Sequence, residues 1–391
     1  MQRFIGIDVG SDQHALCVLE GSGKRLTRFT FGESHEGYER LKSALPEPEM
    51  ALIGLEATGH YWRNLFATLV GWEYRVVLLN PLATKRHSEA NLARAKTDRV
   101  DAESIARFLL EKRPKPTPVV TETAVTLKEL VRWRERIMVD LGAKRNALHR
   151  LLDMVFPEFP RLVKDLTGPL ALHLLERYPL AKDLALGDPE ELAAEVYNGR
   201  NHVGAKLATA LIAKAAKTVG RHQTPGFALR VRATVSEMRL ALTHLEQVER
   251  AIQELLDDDE QARLLKSIPG IGDVTAAAFL SEVGDATRFE SAKQLVSFVG
   301  FAPRVQHSGK STPMSGGMCK VGPRHLRAVL WMAALVAVRY NPTIRTFYQS
   351  LIARGKSKRA AIGACAAKLL HLMHAILRRK TGYVAPIIAH P

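Results

Sequence analysis

"RFIGIDVGSDQHALCVLEGSGKRLTRFTF", residues 3–31, decides the fold. Three apolar runs, "RFIGIDV" (3–9), "HALCVLE" (14–20) and "RLTRFTF" (25–31), are parted by short Gly, Ser and Asp turns and read as three successive strands. A helix near 35–45 follows, then a buried strand "MALIGLE" (50–56), a helix over 61–71, a strand "YRVVLLN" (74–80) and helices near 82–92 and 99–112. A meander followed by strand–helix–strand–helix is an α/β pattern. "KRPKPTP" (112–118) is a linker.

Beyond the linker the pattern is helical. Residues 122–155 carry Leu127, Val131, Met138, Leu141, Leu148, Leu152 and Val155 at alternating spacings of three and four, with Arg134 and Arg145 interrupting the seam. Residues 228–257 repeat the device with Val231, Val235, Met238, Leu242, Leu245, Ile252 and Leu256. Two such stripes pack as an antiparallel hairpin or as a coiled-coil dimer. The stretch 156–227 is helical and loop-rich, and a third unit begins near 260. The expected partition is therefore 1–118, 119–260 and 261–391, an α/β domain followed by α domains. "AVLWMAALVAV" (328–338), bounded by Arg327 and Arg339, is too short to span a bilayer and reads as a buried helix. Nothing at the N-terminus resembles a signal peptide, so a cytoplasmic location is expected.

The chain has 391 residues, enough for two or three domains, and a net charge of +16. The location of that charge matters more than its size. Residues 291–391 hold 16 Lys and Arg and not one Asp or Glu. An ordinary solvated surface mixes signs, and the usual partner of such a field is a polyanion. The apolar helices in the same segment argue against a disordered tail. Cys17, Cys319 and Cys365 share no metal-ligand spacing and suit a reducing compartment.

Four acids carry the chemistry. Asp8 lies at the end of the first strand and Glu56 at the end of the fourth. A carboxylate at the end of an apolar strand is costly unless it is used, and ligands gather at the carboxyl ends of such strands. "AKTDRVDAESIARFL" (95–109) adds Asp98 and Asp101, three apart and so on one helix face. Helix capping explains Asp98 but only partly Asp101. If that helix packs beside the sheet, Asp8, Glu56, Asp98 and Asp101 converge. An oxygen-only cluster suits Mg²⁺ or Mn²⁺, and such ions clamp the oxygens of phosphoryl transfer. Arg94, Lys96 and Arg99 would then hold the phosphate backbone.

"IPGIG" (268–272) reads as the turn of a helix–hairpin–helix, in which Gly270 and Gly272 let backbone N–H groups face a phosphate. A simple helical corner is the alternative. "RVQHSGKSTPMSGG" (304–317) is a Ser/Gly loop, and most loop serines only turn the chain.

"GIDVG", "GLEATG" and "AKTDRVDAESIARFL" together resemble the RuvC-like, ribonuclease-H-type domain of bacterial insertion-sequence transposases with a DEDD acid set. The likeness continues through "FPEFPRLVKDLTGPLALHLLERYP" and is most specific in "LLKSIPGIGDVTAAAFLSEVGDATRFESAKQLVSFVGFAPRVQHSGKS" (264–311) and "CKVGPRHLRAVL". It implies a RuvC-like mixed sheet, DNA strand cleavage and exchange with Mg²⁺ or Mn²⁺, and a structured noncoding bridge RNA that selects donor and target DNA. It also implies that Ser308, in Ser308–Gly309, is the nucleophile of a phosphoserine intermediate. Ser311 and Ser315 stay open as alternatives, and His307 is a weak candidate base. The family often has Ser-Lys where this chain has Cys319–Lys320, a departure that favours Ser308 over a serine further on. Arg304, Lys310, Lys320, Arg324 and Arg327 would hold phosphates. The acids and Ser308 are far apart in sequence, so a site shared between copies, in a homodimer or homotetramer, is expected.

One rival keeps the fold but hydrolyses DNA junctions with water. Another, an actin-like sugar kinase, needs a second Asp-x-Gly phosphate loop and a Gly-rich adenosine segment, and the chain has neither. An inactive nucleic-acid-binding module would leave the acid set without a purpose.

Overall fold

β1 (Arg3–Val9), β2 (Gln13–Glu20) and β3 (Arg25–Gly32) form the expected meander, followed by α1 (His35–Ala44), β4 (Ala51–Glu56), α2 (Trp62–Gly71), β5 (Arg75–Leu79) and α3 (Asp98–Lys112). This is a computed structural model, and it describes residues 2–81, 84, 98–119, 121–306, 314–319 and 321–385. The helix expected over 82–92 falls, but for Thr84, outside them. The sheet order is β3-β2-β1-β4-β5. β2 is antiparallel to β1 and β3, whereas β1, β4 and β5 are parallel. β1 and β4 are central and covered on both faces, which is why they read as near-continuous apolar runs.

Alternation along the strands assigns the two faces. Ile5, Ile7, Val9, Ile53 and Leu55 pack with Leu41 of α1 and Leu65 and Leu69 of α2. Phe4, Leu52, Val77 and Leu79 face the other way and meet Ile105 and Leu109 of α3. Ala15, Cys17 and Leu19 of β2 meet Ala102 and Ala106 of the same helix. These residues lie in one compact unit, Met1–Val120; Thr121–Pro391 form another.

In the second unit α4 (Glu122–Val155) and α5 (Pro225–Asp257) run antiparallel, because Lys144 pairs with Glu237 and Arg134 with Glu249. The two stripes are thus used within the chain as a hairpin. The seam of α4 is the expected one at Leu127, Val131, Leu141, Leu148, Leu152 and Val155 and departs at one position. Ile137 is buried and Met138 is 43% exposed. A straight helix drifts by about 20° per heptad against a 3.5-residue repeat, and this moves the buried position by one residue. Five short helices lie between Phe159 and Ala215. Then come α6 (Glu260–Lys266), α7 (Asp273–Val283), α8 (Ala292–Val299), a hairpin of β6 (Pro303–Gln306) and β7 (Met314–Met318), α9 (Arg324–Tyr340), α10 (Pro342–Ala353) and α11 (Lys358–Arg379). One apolar core runs from Leu127 to Leu377 through this unit.

α9 corrects a second expectation. Leu330, Ala333, Ala334 and Ala337 are buried, but Met332, Leu335, Val336 and Tyr340 are exposed. A continuous apolar run has no polar face to mark which side meets the core, so burial all round could not be told from burial on one side. α11 is the one helix among the described residues long and apolar enough to cross a membrane, and most of it is buried in this core.

Candidate active site

In the β1–β4 ladder Ile7 is opposite Leu55, so Asp8 and Glu56 occupy the next positions of two adjacent parallel strands. Asp8 is four residues past Phe4 and Glu56 four past Leu52, which puts both on the face covered by α3. Both are half-buried. A Cβ on Gly6 would lie 2.1 Å from the Ala102 carbonyl oxygen, and one on Gly54 would lie 2.9 Å from Ile105 and Leu109 side-chain carbons. Glycine at both positions lets the helix lie directly on the strands. The Arg113 guanidinium, just past the helix, is 6.0 Å from the Phe4 ring. The C-terminal end of α3 thus lies over the start of β1, and its N-terminal end is directed towards the strand ends that hold Asp8 and Glu56. Asp98 is the first residue of α3, and Asp101 lies one turn on, half-buried.

Glu56 has partners that sequence reasoning missed. Its Oε1 accepts from the Thr58 hydroxyl at 3.1 Å and its Oε2 from the Thr84 hydroxyl at 2.9 Å. Thr58 was readable in "GLEATG", since a threonine two residues on can reach back to the acid. Thr84 is 28 residues away and needed the fold. A carboxylate has about four lone-pair sites, so these two bonds orient Glu56 and leave it able to bind a cation. Among the described residues no three His, Cys, Asp or Glu form a group that could hold a metal ion. The side chain of Asp98 is not among the described residues' side chains. The donor chemistry fits a hard divalent ion: oxygens alone, two of them on neighbouring strand ends under the start of an acid-bearing helix.

The basic surround divides. Arg107 is committed to Glu103, at 2.8 Å, and Arg25 reaches the same carboxylate at 3.0 Å. Burial pushes Glu103 up, but the bonds and charges of Arg107 and Arg25 outweigh it and hold the carboxyl below its usual range. Cys17 beneath is pushed up to about 11, by burial first and by the charge of Glu103 second. Arg94 and Lys96 lie outside the described residues, as do His307, Ser308, Lys310, Ser311 and Lys320. For Asp98, Arg99, Arg304 and Ser315 the structure describes the backbone.

In the second unit α6 and α7 frame the "IPGIG" turn. Gly270 has φ +104°, and a Cβ there would lie 2.8–2.9 Å from Ala337 of α9, so packing alone requires this glycine. Gly272 is exposed with open space beside it. The adjoining cleft is lined by Glu246, Glu249 and Asp273 besides Arg250, and an anion there would face three carboxylates. Arg327 donates to the carbonyls of Val299 at 3.0 Å and Gly322 at 2.9 Å, which ties the start of α9 to the end of α8. Arg324 is exposed and shares a cleft with Arg132 and Arg136 of α4, two cations that the sequence did not single out, and with the carboxylates of Glu135 and Glu282, the second of which pairs with Arg132.

Residues 5–157 match a family model described as a transposase, of the DEDD type, and residues 262–349 match one described as transposase of the IS116/IS110/IS902 family. A transposase for insertion sequence element IS1328 from Yersinia enterocolitica is 33% identical over 351 residues, spanning 89% of this chain and 86% of that protein. The chain belongs to the IS110 family of transposases. It is 24% identical over 385 residues to the pilin gene-inverting protein of Moraxella bovis, spanning 97% of this chain and 96% of that one. The transposase for element IS1111A of Coxiella burnetii is 24% identical over 387 residues, spanning 97% and 91%. An IS110-family transposase is a DNA-processing enzyme, and its mixed five-stranded sheet is that of a ribonuclease-H-like DEDD domain. The DEDD nuclease class implies use of divalent metal.

Proposed function

We propose that this transposase cuts and rejoins DNA at a site formed by Asp8, Glu56, Asp98 and Asp101, with Ser308 as covalent nucleophile and a structured RNA as its guide. The observation that carries the reading is the placement of Asp8 and Glu56 side by side at adjacent parallel strand ends, on the face where α3 begins with Asp98. A bound Mg²⁺ or Mn²⁺ would supply charge neutralisation at the phosphate and at the leaving oxygen. Thr58 and Thr84 hold the Glu56 carboxylate in one orientation for that task. Ser308 Oγ loses its proton to solvent or a neighbouring base and forms a bond to phosphorus. The bond from phosphorus to one deoxyribose oxygen breaks, and that oxygen takes a proton. A sugar hydroxyl of a second strand then attacks the phosphoserine, and the serine hydroxyl is restored. One phosphodiester replaces another, so no further energy source is needed.

Arg304, Lys310, Lys320 and Arg324 would hold phosphates in this scheme. The acid-free segment 291–391 supports binding to both DNA and RNA. Two or four copies would share the work. Asp8→Asn should abolish strand exchange on a donor–target pair while leaving the circular dichroism spectrum and RNA retention unchanged; full exchange by this variant sinks the acid site. Ser308→Ala separates recombinase from water-using nuclease, since only the nuclease would still cleave. A DNA adduct mapped by mass spectrometry to Ser311 or Ser315 would move the nucleophile.

A further inference from the structure

A cavity of about 610 Å³ in the second unit has no part in the scheme above. Its apolar walls are Phe301, Met318 and Phe347, and Lys356, Arg359 and Lys368 also line it. Lys368 Nζ lies 5.9 Å from the centre of the Phe347 ring. His371 completes the lining, and burial, followed by the charges of Lys368, His374 and Lys293, holds its pKa below the usual value. Among the described residues no acid lines the cavity. Its volume lies in the range that takes small organic ligands.

The combination is selective. An aromatic and thioether wall rewards a flat, polarisable body, and three cations beside it reward negative charge next to that body. A free phosphate has no use for the wall, and a greasy ligand has none for the cations. We propose that this cavity receives the base of an unpaired nucleotide, with Lys356, Arg359 and Lys368 on the flanking phosphates. The proposal rests on the nucleic-acid reading above. It deepens that reading by naming a nucleotide that is unstacked, since a base inside a duplex cannot enter a cavity. The place in the chain is apt. Phe301 comes two residues before β6, and Met318 is the last residue of β7. The two thus bracket the sequence segment that contains Ser308.

The test measures binding of the full chain to four 12-mer probes by fluorescence anisotropy: oligo-dT, oligo-rU, an abasic strand of equal charge, and a duplex. The wild type should hold both base-bearing strands more tightly than the abasic one. Phe347→Leu keeps an apolar side chain and removes the ring. It should weaken oligo-dT, oligo-rU or both about 10-fold and leave the abasic strand and duplex unchanged. Which of the two suffers more identifies DNA or RNA as the source of the nucleotide. Strands carrying 5-iodouracil, irradiated on the wild type, should crosslink to peptides of α10 or α11 or to those that contain Phe301 or Met318. Equal affinities of Phe347→Leu and wild type for both base-bearing strands would overturn the proposal, as would crosslinks confined to other segments. Binding to duplex and abasic strand with an indifferent Phe347→Leu removes only the cavity. Failure of the wild type to bind any probe removes the nucleic-acid reading too.

Discussion

Gly6 is where one methyl group reaches from packing to chemistry. A Cβ there would press on Ala102 O and Ala106 N, both backbone atoms that cannot rotate away. Gly6→Ala should therefore cost about 1–3 kcal/mol of stability and shift α3 with its two aspartates. A lowered thermal midpoint together with lost strand exchange is the expected pair of results. Gly272→Ala meets open space at φ −109° and should change stability by less than about 0.5 kcal/mol. If it also leaves DNA affinity unchanged, that glycine is no phosphate contact. Glu33 gives a pH-dependent counterpart. Burial raises its pKa, but hydrogen bonds from Tyr38, Asn64 and His14 outweigh that and hold it below 4.5. Its stabilisation is thus complete above 4.5 and is lost as pH falls through the lower folded value. The difference in thermal midpoint between wild type and Glu33→Gln should be constant near neutrality and shrink below pH 4.5. Asp8 and Glu56 were legible in the sequence because an acid ending an apolar strand stands out against its neighbours. The His14–Glu33–Tyr38–Asn64 network was not, since each member reads alone as an ordinary surface or turn residue and only the fold brings them together.

Glu282 shows what joins one element to another. Its side chain is 9% exposed and receives Lys128 and Arg132 of α4, each at 3.0 Å. Glu282→Ala would leave two cations facing an uncharged wall, and should cost about 1–3 kcal/mol in urea unfolding. Glu237, at 59% exposure, also pairs with α4, through Lys144, and its replacement by Ala should cost less than about 1 kcal/mol. Equal losses would show that burial is not what separates the two pairs. Among the described elements the α/β pattern was legible to within a residue or two, because alternation, turns and caps are local. Ser34, for example, caps α1 by accepting from the Gly37 N–H. The side of α9 that faces solvent was not, since it depends on where Gly270 and the "IPGIG" turn press against Ala337.

The whole molecule has two compact units, and the core from Leu127 to Leu377 belongs to one of them. Residues 121–391 should therefore unfold as one cooperative transition when produced alone, with a calorimetric enthalpy matching the van't Hoff value; a broad, multistep melt would contradict a single core. Sixteen basic residues without an acid repel each other unless a polyanion neutralises them. Nucleic-acid affinity should fall with a log–log salt slope of several units, and a flat response would give the segment another purpose. Charge segregation was plain in the sequence because it needs only counting. The aromatic cavity was not, because Phe301, Met318, Phe347 and Lys368 come from four separate elements or connections.

The antiparallel pair of α4 and α5 also sets a length. Thirty-four residues in α4 at about 1.5 Å each span about 50 Å, the rise of about fifteen base pairs of duplex. Arg232, in the first third of α5, donates to the Glu176 carbonyl at 3.0 Å and ties the Phe159–Ala215 segment there, and Lys128 and Arg132, in the first third of the antiparallel α4, hold α7 towards the other end through Glu282. Whatever these ends grip is spaced by helical rise and not by a flexible tether. Seven residues added at matched positions in both helices would keep the seam inward and move the ends about 10 Å apart, close to three base-pair steps.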